Sequence, residues 1–132
     1  MKIAAVVIGR NEGARLVACF SSLEGQVDQT VYVDSGSSDG SVLVAESVGA
    51  DVVELDPALP FTAARARNAG VRAIAPGTDY VQFIDGDCAL RDGWIKRASD
   101  FLNTSPRAAV VCGRRRERYP EASVYNGLID LE

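Results

Sequence analysis

The chain has 132 residues, 47% of them hydrophobic and 24% charged, with a mean hydropathy of +0.02 and a formal net charge of −4. That is the size of one domain and the composition of a soluble globular protein; it excludes a disordered chain and argues against a nucleic-acid partner held by general surface charge. There is no His, and Cys19, Cys88 and Cys112 are odd in number and widely spaced, which excludes His-based triads, imidazole metal sites and a disulfide framework and leaves acid–base chemistry to carboxylates.

No apolar run approaches the ~20 residues of a membrane span, and Met1-Lys2 leads straight into a strand-like run without a cleavage site, so a cytoplasmic chain with reduced thiols is expected. Ile3 to Ile8 is a continuous, β-branched-rich run that suits a central parallel strand covered on both faces, and it ends at Gly9-Arg10-Asn11-Glu12. Leu16, Val17, Phe20 and Leu23 then recur at helical spacing up to Gly25. Thr30 to Val33 is a second strand, running into the turn-forming stretch Asp34-Ser35-Gly36-Ser37-Ser38-Asp39-Gly40. Ser41 to Val48 reads as a helix with Val44, Ala45 and Val48 inward, capped by Asp39 or Ser41. Asp51 to Leu55 is a third strand, and Pro57 and Pro60 bracket a loop.

Thr62 is the expected N-cap of a helix from Ala63 to Ile74. On it Arg65, Asn68 and Arg72 share a solvated face, whereas Arg67 falls beside Ala63, Gly70 and Ile74, closer to the packed side. Tyr80 to Ile84 reads as a fourth, buried strand ending in Asp85-Gly86-Asp87; Trp94, Ala98, Phe101 and Leu102 mark a helix after it. Ala108 to Cys112 reads as a fifth strand, followed by the basic cluster Arg114, Arg115, Arg116 and Arg118.

Strands alternating with helices predict an α/β fold, a mostly parallel sheet with helices on both faces, in a single domain spanning residues 1–132. Gly9 to Glu12, Asp34 to Gly40 and Asp85 to Asp87 all follow strands, so all three loops project from one sheet edge. Two carboxylates one residue apart have no use in a core, because burying an unpartnered charge is costly. No G-x-G-x-x-G follows the first strand and no P-loop occurs, so phosphate must be held another way. A divalent cation reverses the repulsion between a diphosphate and two carboxylates, and hard oxygen ligands suit Mg²⁺ or Mn²⁺.

The strings VVIGRNEGARL, VYVDSGSSDGS, FTAARARNAG and VQFIDGDC, in this order, resemble the nucleotide-sugar-binding half of a family 2 glycosyltransferase with the Rossmann-like GT-A fold, from Ile3 to about Cys112. The resemblance implies that Asp34 reads the nucleobase edge and that Asn11 and Glu12 line the nucleoside pocket. It also implies that Arg67 faces the nucleotide, that Asp85 approaches the ribose or the metal shell, and that Asp87 ligates Mg²⁺ or Mn²⁺. Further nucleotide-sugar contacts are implied at Ile8, Arg10, Ser35 and Gly86. The activity implied is metal-dependent, inverting transfer of a sugar from a nucleoside-diphosphate sugar to a hydroxyl acceptor, saccharide or lipid-linked.

In that family the acceptor-binding half and the catalytic base follow the segment where this sequence stops, so the fold is expected to be truncated after the donor-binding half. Glu117, Glu121, Asp130 and Glu132 are the acidic residues remaining beyond the Arg cluster, and none sits in a recognisable base motif. A noncatalytic nucleotide-sugar-binding module is therefore the alternative. A sugar-phosphate nucleotidyltransferase ranks lower, because Gly9-Arg10-Asn11-Glu12-Gly13 is not its glycine-rich loop. Asp39 reads as a cap rather than a ligand contact, and the Arg cluster as an exposed charged stretch, with membrane-surface contact the minority reading.

Overall fold

The computed structural model describes residues 1–131. Four strands, β1 (Ile3–Gly9), β2 (Gln29–Asp34), β3 (Asp51–Glu54) and β4 (Tyr80–Asp85), form one sheet in the order β3-β2-β1-β4. Helices α1 (Ala14–Leu23), α2 (Ser41–Ser47) and α3 (Ala63–Arg72) join them, and α4 (Trp94–Thr104) follows β4. Among the described residues every strand pairing is parallel, and parallel neighbours require crossovers, which the helices supply. The chain divides into two compact units, residues 1–99 and 100–132.

Within residues 1–99 the period of two along β1 separates two buried layers. Ala5 and Val7 pack with Leu16, Phe20 and Tyr32, while Val6 packs with Val31, Val33 and Ala66. The seam of α1 is Leu16, Cys19, Phe20 and Leu23, the i, i+3, i+4, i+7 pattern; Val17, expected inward, is exposed because it lies about 100° off that seam. In α2, Ala45 and Ser41 are buried, and Val48, beyond the helix end, is exposed rather than inward.

Thr62 caps α3 as expected, its Oγ1 accepting from Arg65 N–H at 3.1 Å. The helix stops at Arg72, short of the expected Ile74, because Ala73 and Ile74 turn tightly onto the carbonyls of Gly70 and Val71. Gly70 is buried against β1: a Cβ there would sit 2.4 Å from Val6 Cγ1 and 3.1 Å from Val33 Cγ2. Only glycine permits this approach of helix to sheet.

Two expectations about strands are corrected. β4 is an edge strand in which Ile84 is buried but Val81 and Phe83 are exposed, since position in the sheet rather than composition decides how many faces are covered. Ala108 to Cys112 forms no strand; Ala108 N–H instead closes a turn on Ser105 O at 2.8 Å, and Val110 is exposed. An apolar run becomes a strand only where a ladder takes up its backbone groups.

Within residues 100–132, a short 3₁₀ turn (Pro120–Ala122) precedes α5 (Val124–Leu131). Arg116 grips Asp130 through Nε–Oδ1 and Nη2–Oδ2, both 2.8 Å, and Arg114 Nη2 reaches Asp130 O at 3.1 Å. The bond from Arg116 holds the Asp130 carboxyl down at about 2. Part of the basic cluster is thus tied to α5 instead of being an independent solvated run. Glu132 lies outside the described residues.

Candidate functional site

The register pairs Gly9 with Asp34 and Ile8 with Asp85, so β2, β1 and β4 end together. Strand order turns about β1, and the edge beyond the carboxyl ends is where open parallel sheets leave a crevice. A cleft of about 320 Å³ opens there, lined by Ile8, Gly9, Glu12, Ser35, Phe61, Thr62, Ala63, Ala66, Asp85 and Asp87. Five of the expected site residues, Ile8, Glu12, Ser35, Asp85 and Asp87, therefore share one wall or another of it.

Two loops are tied into one frame. Asn11, at φ 53°, donates from its backbone N–H to Ser37 Oγ (2.9 Å), and its Oδ1 accepts from Ser38 N–H (2.7 Å) and Asp39 N–H (3.3 Å). Asp39 in turn accepts from Gly13 N–H at 3.2 Å and from Ser41 N–H at 2.9 Å, and its bonds from Ser41 lower its pKa. Gly40, not Asp39 or Ser41, is the N-cap of α2 and makes no side-chain cap bond; Asp39 stands one residue before it and takes up the Ser41 N–H. Asn11 is thereby a cross-link at the margin of the cleft and does not line it.

Asp34 is 2% exposed and sits beneath this frame. Its Oδ1 accepts from Tyr32 Oη (2.9 Å) and Ser37 Oγ, and its Oδ2 from Ser37 N–H (2.7 Å). Burial and this neighbour push the Tyr32 phenol well above its usual pKa. Two of the three donors fall on Oδ1 and one on Oδ2, so the acceptor position left to a ligand is the second one on Oδ2. Ser35, the next residue, is the one that reaches the cleft.

The Asp85-Gly86-Asp87 turn lies against the loop after β1. Gly86 N–H donates to Ile8 O at 2.8 Å, and a Cβ on Gly86 would stand 3.2 Å from that oxygen and 3.3 Å from Glu12 Cγ. Glycine between the two carboxylates is what lets the turn lie so close. Glu12 is folded in between: its Oε2 is 3.0 Å from Arg15 Nη2 but receives no hydrogen bond of good geometry.

Arg67 Nη2 donates to Asp85 Oδ1 at 2.8 Å. The bond gives the Arg67 charge a partner, but its side chain is 40% exposed and flanks the buried face of α3, which is Ala66 and Gly70, instead of lying on the packed side. Arg65, expected to be solvated, is half-buried: it donates to the carbonyls of Asp56 (3.0 Å), Leu59 (3.0 Å) and Pro60 (3.2 Å) and stacks over the Phe61 ring at 5.8 Å. Arg10 lies over the same ring at 5.6 Å. Phe61, Thr62, Ala63 and Ala66 were not among the expected site residues; the signal for them is the run Phe61-Thr62-Ala63-Ala64-Arg65-Ala66-Arg67, an aromatic and a cap opening a helix of small residues.

Asp85 and Asp87 are both exposed at the cleft, and each has one carboxylate oxygen engaged, Asp85 by Arg67 and Asp87 Oδ1 by Cys88 Sγ at 3.3 Å. Among the described residues no group of three or more His, Cys, Asp or Glu side chains is arranged to hold a metal. Two hard carboxylates fit a cation whose remaining ligands are water and substrate phosphate, the manner in which Mg²⁺ is commonly held.

A parallel α/β sheet with three linked loops and a carboxylate pair at its open edge defines the class as GT-A-like. The family model described as Glycosyl transferase family 2 matches residues 4–128, and the chain belongs to that family. It is 44% identical over 52 residues to an uncharacterized glycosyltransferase of Rickettsia bellii, covering 39% of this chain and 18% of that protein. The structure of S. aureus TarS 1–349 matches 92% of this chain and 40% of that one with a TM-score of 0.69 at 19% identity, a likeness of fold. Glucosyl-3-phosphoglycerate synthase from Mycobacterium tuberculosis, crystallised with Mn²⁺, UDP and glucosyl-3-phosphoglycerate, matches 64% of this chain and 33% of that one at 29% identity and a TM-score of 0.50. The chain spans between 18% and 40% of the length of these relatives.

Proposed function

We propose that this chain is the donor-binding part of a glycosyltransferase that moves a sugar, with inversion, from a nucleoside-diphosphate sugar to a hydroxyl acceptor, with Mg²⁺ or Mn²⁺ as cofactor. The observation that carries the reading is the meeting of Asp85, Asp87, Ser35 and Glu12 around one cleft at the carboxyl edge of the sheet. Asp87, assisted by Asp85, would hold the cation; when bound, the cation would neutralise the diphosphate and stabilise it as a leaving group. Ile8, Arg10, Asn11, Glu12, Asp34, Ser35, Arg67 and Gly86 form or brace the surrounding donor pocket. Bound Mn²⁺ and UDP in the mycobacterial synthase support this assignment.

Of the carboxylates lining the cleft, Asp85 is ion-paired, Asp87 is assigned to the cation and Glu12 is packed under the turn. None remains to take the acceptor's proton, so the reading assigns donor binding to this chain and deprotonation to a group outside the cleft. All three cysteines are thiols, consistent with a cytoplasmic location, and among the described residues no helix is long and apolar enough to cross a membrane.

The test is thermal denaturation with UDP, GDP and ADP in Mn²⁺ or in EDTA. A rise in Tm with at least one nucleotide in Mn²⁺, absent in EDTA and in Asp87→Ala, is expected; no shift with any of the three would remove the reading.

A further inference from the structure

Three loops meet at Phe61. Its ring lines the cleft, its edge fits the space left by Gly36, where a Cβ would come within 3.0 Å of Phe61 Cζ, and guanidinium groups of Arg65 and Arg10 lie over it at 5.8 and 5.6 Å. The two arginines are not equivalent. Arg65 is spent on three backbone carbonyls and fixes the segment that carries the ring. Arg10 is exposed, and among the described residues its side chain has no hydrogen bond or ion pair; the Phe61 ring is its one recorded partner. Two other cations near the edge are already paired, Arg67 with Asp85 and Arg15 with Glu12.

We propose that Phe61 is a positioning residue for donor binding: clamped by Arg65 and seated on Gly36, its ring holds the Arg10 guanidinium at the rim of the cleft to meet a nucleoside diphosphate. This rests on the donor-binding reading above. An exposed arginine otherwise samples many rotamers, and ordering it on binding costs affinity; a cation–π contact at an exposed site supplies about 0.5–1 kcal/mol toward one orientation. Arg65 being held by backbone carbonyls, the charge of Arg10 is then the one presented to the ligand's negative groups.

The experiment is a double-mutant cycle on the full chain, with the Kd of UDP in Mn²⁺ measured by calorimetry for wild type, Phe61→Leu, Arg10→Met and the double variant, with Phe61→Tyr as the conservative replacement. Phe61→Leu is expected to weaken UDP binding about two- to fivefold, to have no further effect when Arg10 is already Met, and to be rescued by Tyr. In parallel, the Arg10 side-chain NMR signals are expected to carry a ring-current shift that Phe61→Leu removes. Additive effects of the two substitutions, or an unshifted Arg10 in wild type, would overturn the proposal while leaving donor binding intact. Failure of wild type to bind UDP would instead overturn a UDP-donor reading, and this proposal with it.

Discussion

Arg67 Nη2 and Asp85 Oδ1 lie 2.8 Å apart, joining α3 to the end of β4, whose Asp85 lines the cleft. Both side chains are substantially exposed, 40% and 53%, so the pair contributes little to folding, under about 1 kcal/mol. Its effect is local. While Arg67 engages Asp85, a divalent cation must share that carboxylate with a guanidinium. Arg67→Met is therefore expected to leave Tm nearly unchanged, to tighten Mn²⁺ binding in the absence of nucleotide, and to weaken UDP binding. Calorimetric titrations of Mn²⁺ and of UDP, run separately, check the two opposite signs.

Asp34 is where folding and binding coincide. Removing a buried carboxylate that accepts three hydrogen bonds leaves Tyr32 Oη and Ser37 N–H without their partner, and Asp34→Ala is expected to cost about 2–4 kcal/mol in urea denaturation. Tyr32→Phe removes only one of those donors and should cost about 1 kcal/mol. A variant of Asp34 as stable as wild type would show that the loop after β2 is held some other way.

Gly70 faces Val6 so closely that Gly70→Ala drives a methyl group into the core. Such overpacking costs about 1–3 kcal/mol. Because the obstruction is chiefly Val6 Cγ1, the double variant Gly70→Ala, Val6→Ala is expected to recover part of the loss, with the coupling read from four chemical-denaturation curves. Strictly additive losses would contradict the packing described.

Cys19 is fully buried, and burial first, then the charges of Cys88, Asp87, Asp85 and Glu12, pushes its thiol up to about 12. The folded protein thus favours the protonated thiol. The stabilisation is complete below the ordinary thiol range and is lost as pH rises from there toward about 12. Urea midpoints should fall between pH 8 and pH 11, less steeply in Cys19→Ala, although the Tyr32 phenol acts with the same sign at the upper end. At pH 8 a thiol reagent should modify exposed Cys112 readily and leave Cys19 untouched until the chain unfolds.

The parallel sheet was legible because continuous apolar runs such as Ile3 to Ile8 and 3.6-residue repeats such as Leu16, Phe20 and Leu23 are local patterns, as is the Thr62 cap. The convergence of three loops followed from that alternation alone. What could not be read depends on neighbours distant in sequence. Val81 and Phe83 are exposed because β4 ends the sheet, and Ala108 to Cys112 lacks a ladder; neither fact is written in the composition of those runs. Arg65 looked solvated by helical position, but the carbonyls it binds belong to the irregular segment before the helix. Phe61 escaped notice because an aromatic in a Pro-bracketed loop gains meaning only from the loops folded against it.

The bonds that join Asn11 to Ser37, Ser38 and Asp39, and Asp39 to Gly13, also have a thermodynamic consequence. Two segments so fastened move together, and their conformational freedom is surrendered when the chain folds rather than when a ligand arrives. The wall built by the loops after β1 and β2 then behaves as a rigid gauge against which any bound molecule is measured.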